Sequence, residues 1–193
     1  YMIIDKAAKD LELDTKLQDS FGAKAAGIML DLAAYSIITE GNAAQYYPDY
    51  AYNHPLFTPD MKCYSDSFIS DFLRSIKEDQ RQDFLDQWNA DRCKRERIYI
   101  SYDSTNKNCQ AGEIELAEFG HAKTDIGSAI INYSVGYDLK NKEPLFYEAY
   151  PGSINDVSQL RTMLGKITGY GYKKIGFILD RGYFSPGNIR YLD

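Results

Sequence analysis

The apolar residues of this chain change their period once, at Arg97, and that change limits the fold to a helical half followed by a sheet. Before it, Phe68, Phe72 and Ile76 recur every fourth residue, and Ile69 and Leu73 widen the same stripe. After it, Ile98, Ile100 and Tyr102 alternate with Arg97, Tyr99 and Ser101, the period of a half-buried strand.

The helical half reads in pieces. Leu11, Leu17 and Phe21 are spaced apolar positions in a charged background, and the Ala-rich run from Ala23 to Thr39 predicts a helix stopped near Gly41. Residues 42–60 hold Tyr46, Tyr47, Tyr50 and Tyr52 among Pro48, Pro55 and Pro59, which predicts a connector of short elements. Its tyrosines suit packing first and a base-stacking platform second. Ser65 is the expected N-cap of the next helix, and a break near Asp79 separates it from one carrying Phe84, Leu85 and Trp88.

The second half alternates strands and helices. The first strand is expected to stop at the polar run Asp103-Ser104-Thr105-Asn106. Residues 129–138, with Ile131, Tyr133, Val135 and Tyr137 on one face, and Leu145 to Tyr150 form a hairpin. Val157, Leu160, Leu164 and Ile167 mark a helix capped by Ser153 or Asn155. The apolar run Ile175–Leu179 reads as a buried strand ending in Asp180-Arg181-Gly182, and Ser185-Pro186 opens a last helix. The expected fold is α+β or α/β, with a helical region over 1–93 and a mixed sheet with flanking helices over 94–193.

Charge follows the same division. Residues 1–90 carry 8 basic and 15 acidic side chains, a net −7, whereas residues 91–193 carry 14 and 13, a net +1. The basic run Arg92, Lys94, Arg95, Arg97 and the pair Lys173-Lys174 suit a solvated surface first and DNA second. Three cysteines without a CxxC pair speak for a reducing compartment and against a zinc site. No apolar run approaches the roughly 18–20 residues that span a bilayer. The chain opens on Tyr1, so its natural start is expected further upstream.

Chemistry is concentrated in two aspartates. A helical crossover lays the last strand parallel to the first and beside it, which brings Asp103 and Asp180 to one edge of the sheet. Two carboxylates that close repel unless a cation lies between them, and Mg²⁺ or Mn²⁺ prefers such oxygen ligands. Metal ions held in this way can serve phosphodiester chemistry.

Four segments then occur in order: Tyr102-Asp103-Ser104-Thr105, Phe119-Gly120-His121-Ala122-Lys123, Tyr150-Pro151-Gly152-Ser153 with Asn155-Asp156, and Leu179-Asp180-Arg181-Gly182-Tyr183. With them, residues 99–193 resemble the catalytic core of DDE-type insertion-sequence transposases, which have a ribonuclease H-like fold. Ala122 stands where that family usually has serine. The resemblance implies that Asp103 and Asp180 are catalytic ligands of Mg²⁺ (or Mn²⁺). It also implies that the activity is cutting and joining double-stranded DNA at transposon ends and target. His121, Lys123 and Arg181 are candidate DNA contacts, with a polar loop or strand edge an equal reading of His121 and Lys123 and an ion pair with Asp103 or Asp180 an equal reading of Arg181. The cysteines place the expected protein in the cytoplasm. A homodimer is expected of the full-length protein.

The family's third acidic residue, a glutamate, lies far downstream of the Asp-Arg-Gly motif, and this chain ends at Asp193. The expectation is a fragment that lacks that residue and is inactive alone. Glu113, Glu115 and Glu118 are candidate substitutes that more naturally form a solvated face. Two alternatives remain open at this point: a different ribonuclease H-like nuclease that completes its site within this chain, and a non-enzymatic DNA-binding or interaction module.

Overall fold

The computed structural model describes residues 1–41, 43–110, 114–122, 127–183 and 185–192, without the side chains of Asp156, Tyr191 and Leu192. The chain forms two compact units, Tyr1–Trp88 and Asn89–Asp193.

The first unit is helical: α1 (Met2–Asp10), α2 (Leu13–Phe21), α3 (Ala23–Thr39), α4 (Tyr47–Asn53), α5 (Asp66–Ser75) and the start of α6 (Glu78–Ala90). The Leu11, Leu17 and Phe21 series is broken between α1 and α2, where Glu12 takes a left-handed φ of 54°. Glu40, one residue before Gly41, takes the left-handed position that ends α3. Ser65 caps α5 by accepting a hydrogen bond from the Phe68 N–H at 3.2 Å. The break before α6 falls at Ile76-Lys77, so Asp79 lies inside the first turn of α6, where an acidic side chain suits the helix dipole.

Two apolar clusters hold this unit. Ile28, Tyr35, Tyr47, Tyr50 and Ile69 form one, and Ala8, Leu17, Ala26 and Leu30 the other. Of the connector tyrosines, Tyr47 and Tyr50 are therefore core residues, and Tyr46 and Tyr52 are exposed. Asp31 of α3 is buried and stitches the connector to the helix. Its carboxylate accepts from the Phe57 N–H (2.6 Å), the Thr58 N–H (3.0 Å) and the Thr58 hydroxyl (2.6 Å).

The second unit is a four-stranded sheet in the order β3-β2-β1-β4. Its strands are β1 (Ile98–Asn108), β2 (Ile130–Asp138), β3 (Glu143–Pro151) and β4 (Ile175–Leu179), with helices α7 (Asp156–Gly169) and α8 (Pro186–Leu192). β1 pairs antiparallel with β2 and parallel with β4, from Ile98↔Ile175 to Tyr102↔Leu179. The expected neighbouring of the first and last strands is thus present.

One face of the sheet is packed. Ile98, Ile100 and Tyr102 of β1 and Leu145 and Phe146 of β3 join Leu160, Met163 and Ile167 of α7 in one core. Asn155 caps α7, accepting from the Ser158 N–H at 2.9 Å. The buried face of β2 carries Ile130, Asn132, Ser134, Gly136 and Asp138, and the Ile131, Tyr133, Val135, Tyr137 series is only half-buried on the other face. Size explains which face is buried. A Cβ on Gly136 would lie 2.2 Å from the Phe146 ring, and Ser134 donates to the Tyr102 hydroxyl at 2.7 Å. The large side chains of the neighbouring strands fill the core, and β2 makes room for them.

Candidate active site

Asp103 lies within a strand, not at its end. The polar run from Asp103 to Asn106 was expected to stop β1, but the antiparallel ladder with β2 continues to Asn108↔Ile130. A polar strand persists there because β2 supplies its backbone partners. The parallel ladder with β4 does stop, at Tyr102↔Leu179, and the next residues on the two strands are Asp103 and Asp180. Strand alternation turns Asp103 to the face opposite buried Tyr102.

Both aspartates are exposed. One Asp103 carboxylate oxygen accepts from the Ser104 N–H at 2.8 Å, and one Asp180 oxygen from the Arg181 N–H at 2.5 Å. Among the described residues, neither carboxylate forms an ion pair. Exposed Arg181 therefore meets Asp180 through its backbone, and no ion pair of its guanidinium with Asp103 or Asp180 forms.

The Gly-His and Pro-Gly segments prove to be one structural unit. Glu118 and Ile130 exchange backbone hydrogen bonds (3.1 and 2.8 Å), and the Gly152 N–H donates to the Leu116 carbonyl at 3.2 Å. A Cβ on Gly120 would lie 1.9 Å from the Gly152 carbonyl oxygen, so only glycine permits this approach. A cleft of about 730 Å³ opens here, lined by Thr105, Asn106, Phe119, His121 and Ser153 among others. Much of its polarity is committed internally. Asn106 donates to the His121 carbonyl at 3.0 Å, Asn132 to the carbonyls of Pro151, Gly152 and Ile154, and the Ser153 hydroxyl to Glu118. The His121 side chain is exposed. Lys123 and Glu113 lie outside the described residues. Glu115 is exposed, and Glu118 is taken up by Ser153.

Half of the basic run that opens this unit is turned inward. Arg92 is buried against Glu143 (2.6 Å), and Arg95 joins Asp138 (2.7 Å) to Glu143 (2.9 Å). Lys94 pairs with Asp91 at 2.7 Å, which leaves Arg97 as the member of the run without an ion pair among the described residues. The expectation of a solvated basic surface is corrected for Arg92 and Arg95: the fully buried Asp138 needs a cation, and Arg95 is that cation.

Asp103 and Asp180, which follow the last pair of the parallel ladder, offer oxygen atoms only, a chemistry that suits a hard divalent cation better than zinc. The pair is a partial set, because no group of three or more His, Cys, Asp or Glu suited to a metal occurs among the described residues. No sequence feature assigns a role to Ser134, Tyr183 or Asn188, which are buried, Ser134 donating to the Tyr102 hydroxyl and Asn188 to the Tyr183 carbonyl. The nearest signal was the position of Tyr183, three residues after Asp180.

Fold and edge together define an α+β chain whose mixed sheet presents two aspartates where its parallel ladder ends. A family model described as the transposase DDE domain matches residues 94–193, and the chain belongs to that family. Comparisons with curated proteins and with solved structures gave no match.

Proposed function

We propose that this chain is the front part of the catalytic region of a DNA transposase, beginning near residue 94, in which Asp103 and Asp180 are two of the ligands of a catalytic Mg²⁺ or Mn²⁺. The observation that carries the reading is the register: the two aspartates directly follow the last pair of the only parallel ladder among the described residues. When bound, such an ion polarises a phosphate oxygen and lowers the pKa of a water. The chain's own part is to hold the carboxylates side by side and to present Arg181, a guanidinium able to bind phosphate through two N–H donors, next to one of them.

The partner is double-stranded DNA, as transposon ends and as target. His121 and Lys123 are the further proposed contacts, and a homodimer is the proposed state of the full-length protein. Free cysteines Cys63, Cys93 and Cys109 agree with a reducing cytoplasm. With two carboxylates in place of three, residues 1–193 hold metal weakly and neither cleave nor join DNA alone.

Mn²⁺ titration followed by electron paramagnetic resonance tests the pair. Wild type is expected to bind the ion, and Asp103→Asn and Asp180→Asn each to release it. Wild-type binding in both variants overturns the assignment.

A further inference from the structure

The two aspartates are held in different ways. Asp103 is fixed inside the β1–β2 ladder, paired with Val135 between the couples Tyr102↔Gly136 and Ser104↔Ser134. Asp180 lies beyond the last pair of β4, so no ladder holds it. Its place depends on a single 3-10 turn, Arg181–Tyr183, in which the Tyr183 N–H donates to the Asp180 carbonyl at 3.0 Å.

That turn is anchored by Tyr183, which is 3% exposed. The Tyr183 ring lies 5.3 Å from the ring of Tyr102, the residue directly before Asp103. Tyr102 is itself fixed by the Ser134 hydroxyl, at 2.7 Å, and by Phe146, ring to ring at 6.4 Å. Asn188, also buried, holds the turn from behind. Its side-chain amide donates to the Tyr183 carbonyl at 2.9 Å and to the Val157 carbonyl at 3.1 Å, tying the turn to α7 and α8.

We propose that Tyr183, seated on Tyr102 in the core beneath the sheet, is a positioning residue that sets Asp180 beside Asp103. Each aspartate is tied through a short stretch of backbone to one of two tyrosines in contact, so the tyrosine contact fixes the spacing of the carboxylates. The inference rests on the reading of Asp103 and Asp180 as metal ligands. The ring contact is the working part.

The test is the Mn²⁺ titration on the full chain, read beside thermal unfolding. Tyr183→Ala is expected to weaken Mn²⁺ binding about tenfold, the size typical of residues that orient metal ligands. Tyr183→Phe keeps wild-type affinity. Met163→Ala opens the same core on α7 and is expected to lower the melting temperature and leave affinity unchanged. Wild-type affinity in Tyr183→Ala overturns the proposal. So does an equal loss in Met163→Ala, because affinity would then follow stability alone. If wild type binds no Mn²⁺, or if Asp103→Asn and Asp180→Asn bind it unchanged, the metal-ligand reading fails and the positioning role fails with it.

Discussion

Replacing Gly152 by alanine places a methyl carbon 2.3 Å from the carbonyl oxygens of both Glu118 and Ile130, and 2.6 Å from the Ile130 Cγ1. Two of these obstacles are backbone, so no rotamer change relieves them. The chain has two responses. It can absorb the strain in place, which for an overpacked site costs about 1–3 kcal/mol, here at the upper end. Otherwise the strand edge around Glu118 can lift away. That breaks the two Glu118–Ile130 bonds and the bond from Gly152 to Leu116. At about 1 kcal/mol for each hydrogen bond, lifting costs about 3 kcal/mol. It also leaves the Ile130 clash in place, because Ile130 belongs to β2. Straining in place is therefore the cheaper route, at about 3 kcal/mol, or a melting temperature lower by roughly 10–20 °C for a unit of this size. Urea unfolding followed by circular dichroism gives the first number. Amide hydrogen exchange at Glu118 and Ile130 separates the routes, since protection is lost only when the edge lifts. A Gly152→Ala variant with the wild-type urea midpoint and wild-type protection would refute the claim that the two glycine segments interlock.

Three further outcomes follow from buried charge. Arg95→Met leaves the fully buried Asp138 carboxylate without its cation and is expected to cost about 3 kcal/mol in urea unfolding. Burial alone would raise the Asp138 pKa, but donors from the Asn141 side chain and backbone, Arg95 and the Lys140 backbone hold it below the usual carboxylate range. Its stabilisation is thus present above the unfolded-state pKa of about 4 and is lost as the pH falls through the lower folded value, so Asp138→Asn is expected to flatten the acid limb of the urea midpoint. Asp31 has the opposite sign: burial pushes its carboxyl up, against the hydrogen bonds from Thr58 and Phe57. Its contribution is full below about pH 4 and is lost as the pH rises through the folded value, so Asp31→Asn is expected to remove that decline from the unfolding of the helical unit.

How much of this was legible beforehand depended on whether a residue's neighbours are local. The caps follow from hydroxyl and amide chemistry within one turn: Ser65 is legible directly, and Asn155 is one of two candidates with Ser153. The parallel pairing of β1 and β4 follows from an apolar run after a helical crossover. The length of β1 did not follow, because Asp103 and Asn106 are poor strand formers kept extended by partners on β2, more than twenty residues away in sequence. The buried face of β2 was illegible for the same reason. Ser134 and Gly136 face the core because Tyr102 and Phe146 occupy it, and alternation within one strand cannot report the bulk of another. At the site, the aspartates are visible in the sequence, whereas Tyr183 and Asn188 become meaningful only once the 3-10 turn is seen against α7 and α8.

The internal ion pairs also change where DNA can meet this chain. A basic run before the first strand invites the reading of a phosphate-binding stripe, yet Arg92 and Arg95 are held by Glu143 and Asp138 and Lys94 by Asp91. Drawing Arg95 away to a phosphate would strip a buried carboxylate of its partner, a penalty of about 3–5 kcal/mol that one surface phosphate contact does not repay. Arg181 has no such obligation: it is exposed, and its backbone N–H already touches Asp180. On the proposed function, Arg181→Ala is expected to lower the slope of log affinity against log salt by about 0.9, the loss of one phosphate contact on duplex DNA. Lys94→Ala, whose ammonium is paired with Asp91, is expected to leave that slope unchanged. The reverse result would show that the basic run opens to receive DNA, and the ion-pair network would then be a feature of the unbound chain only.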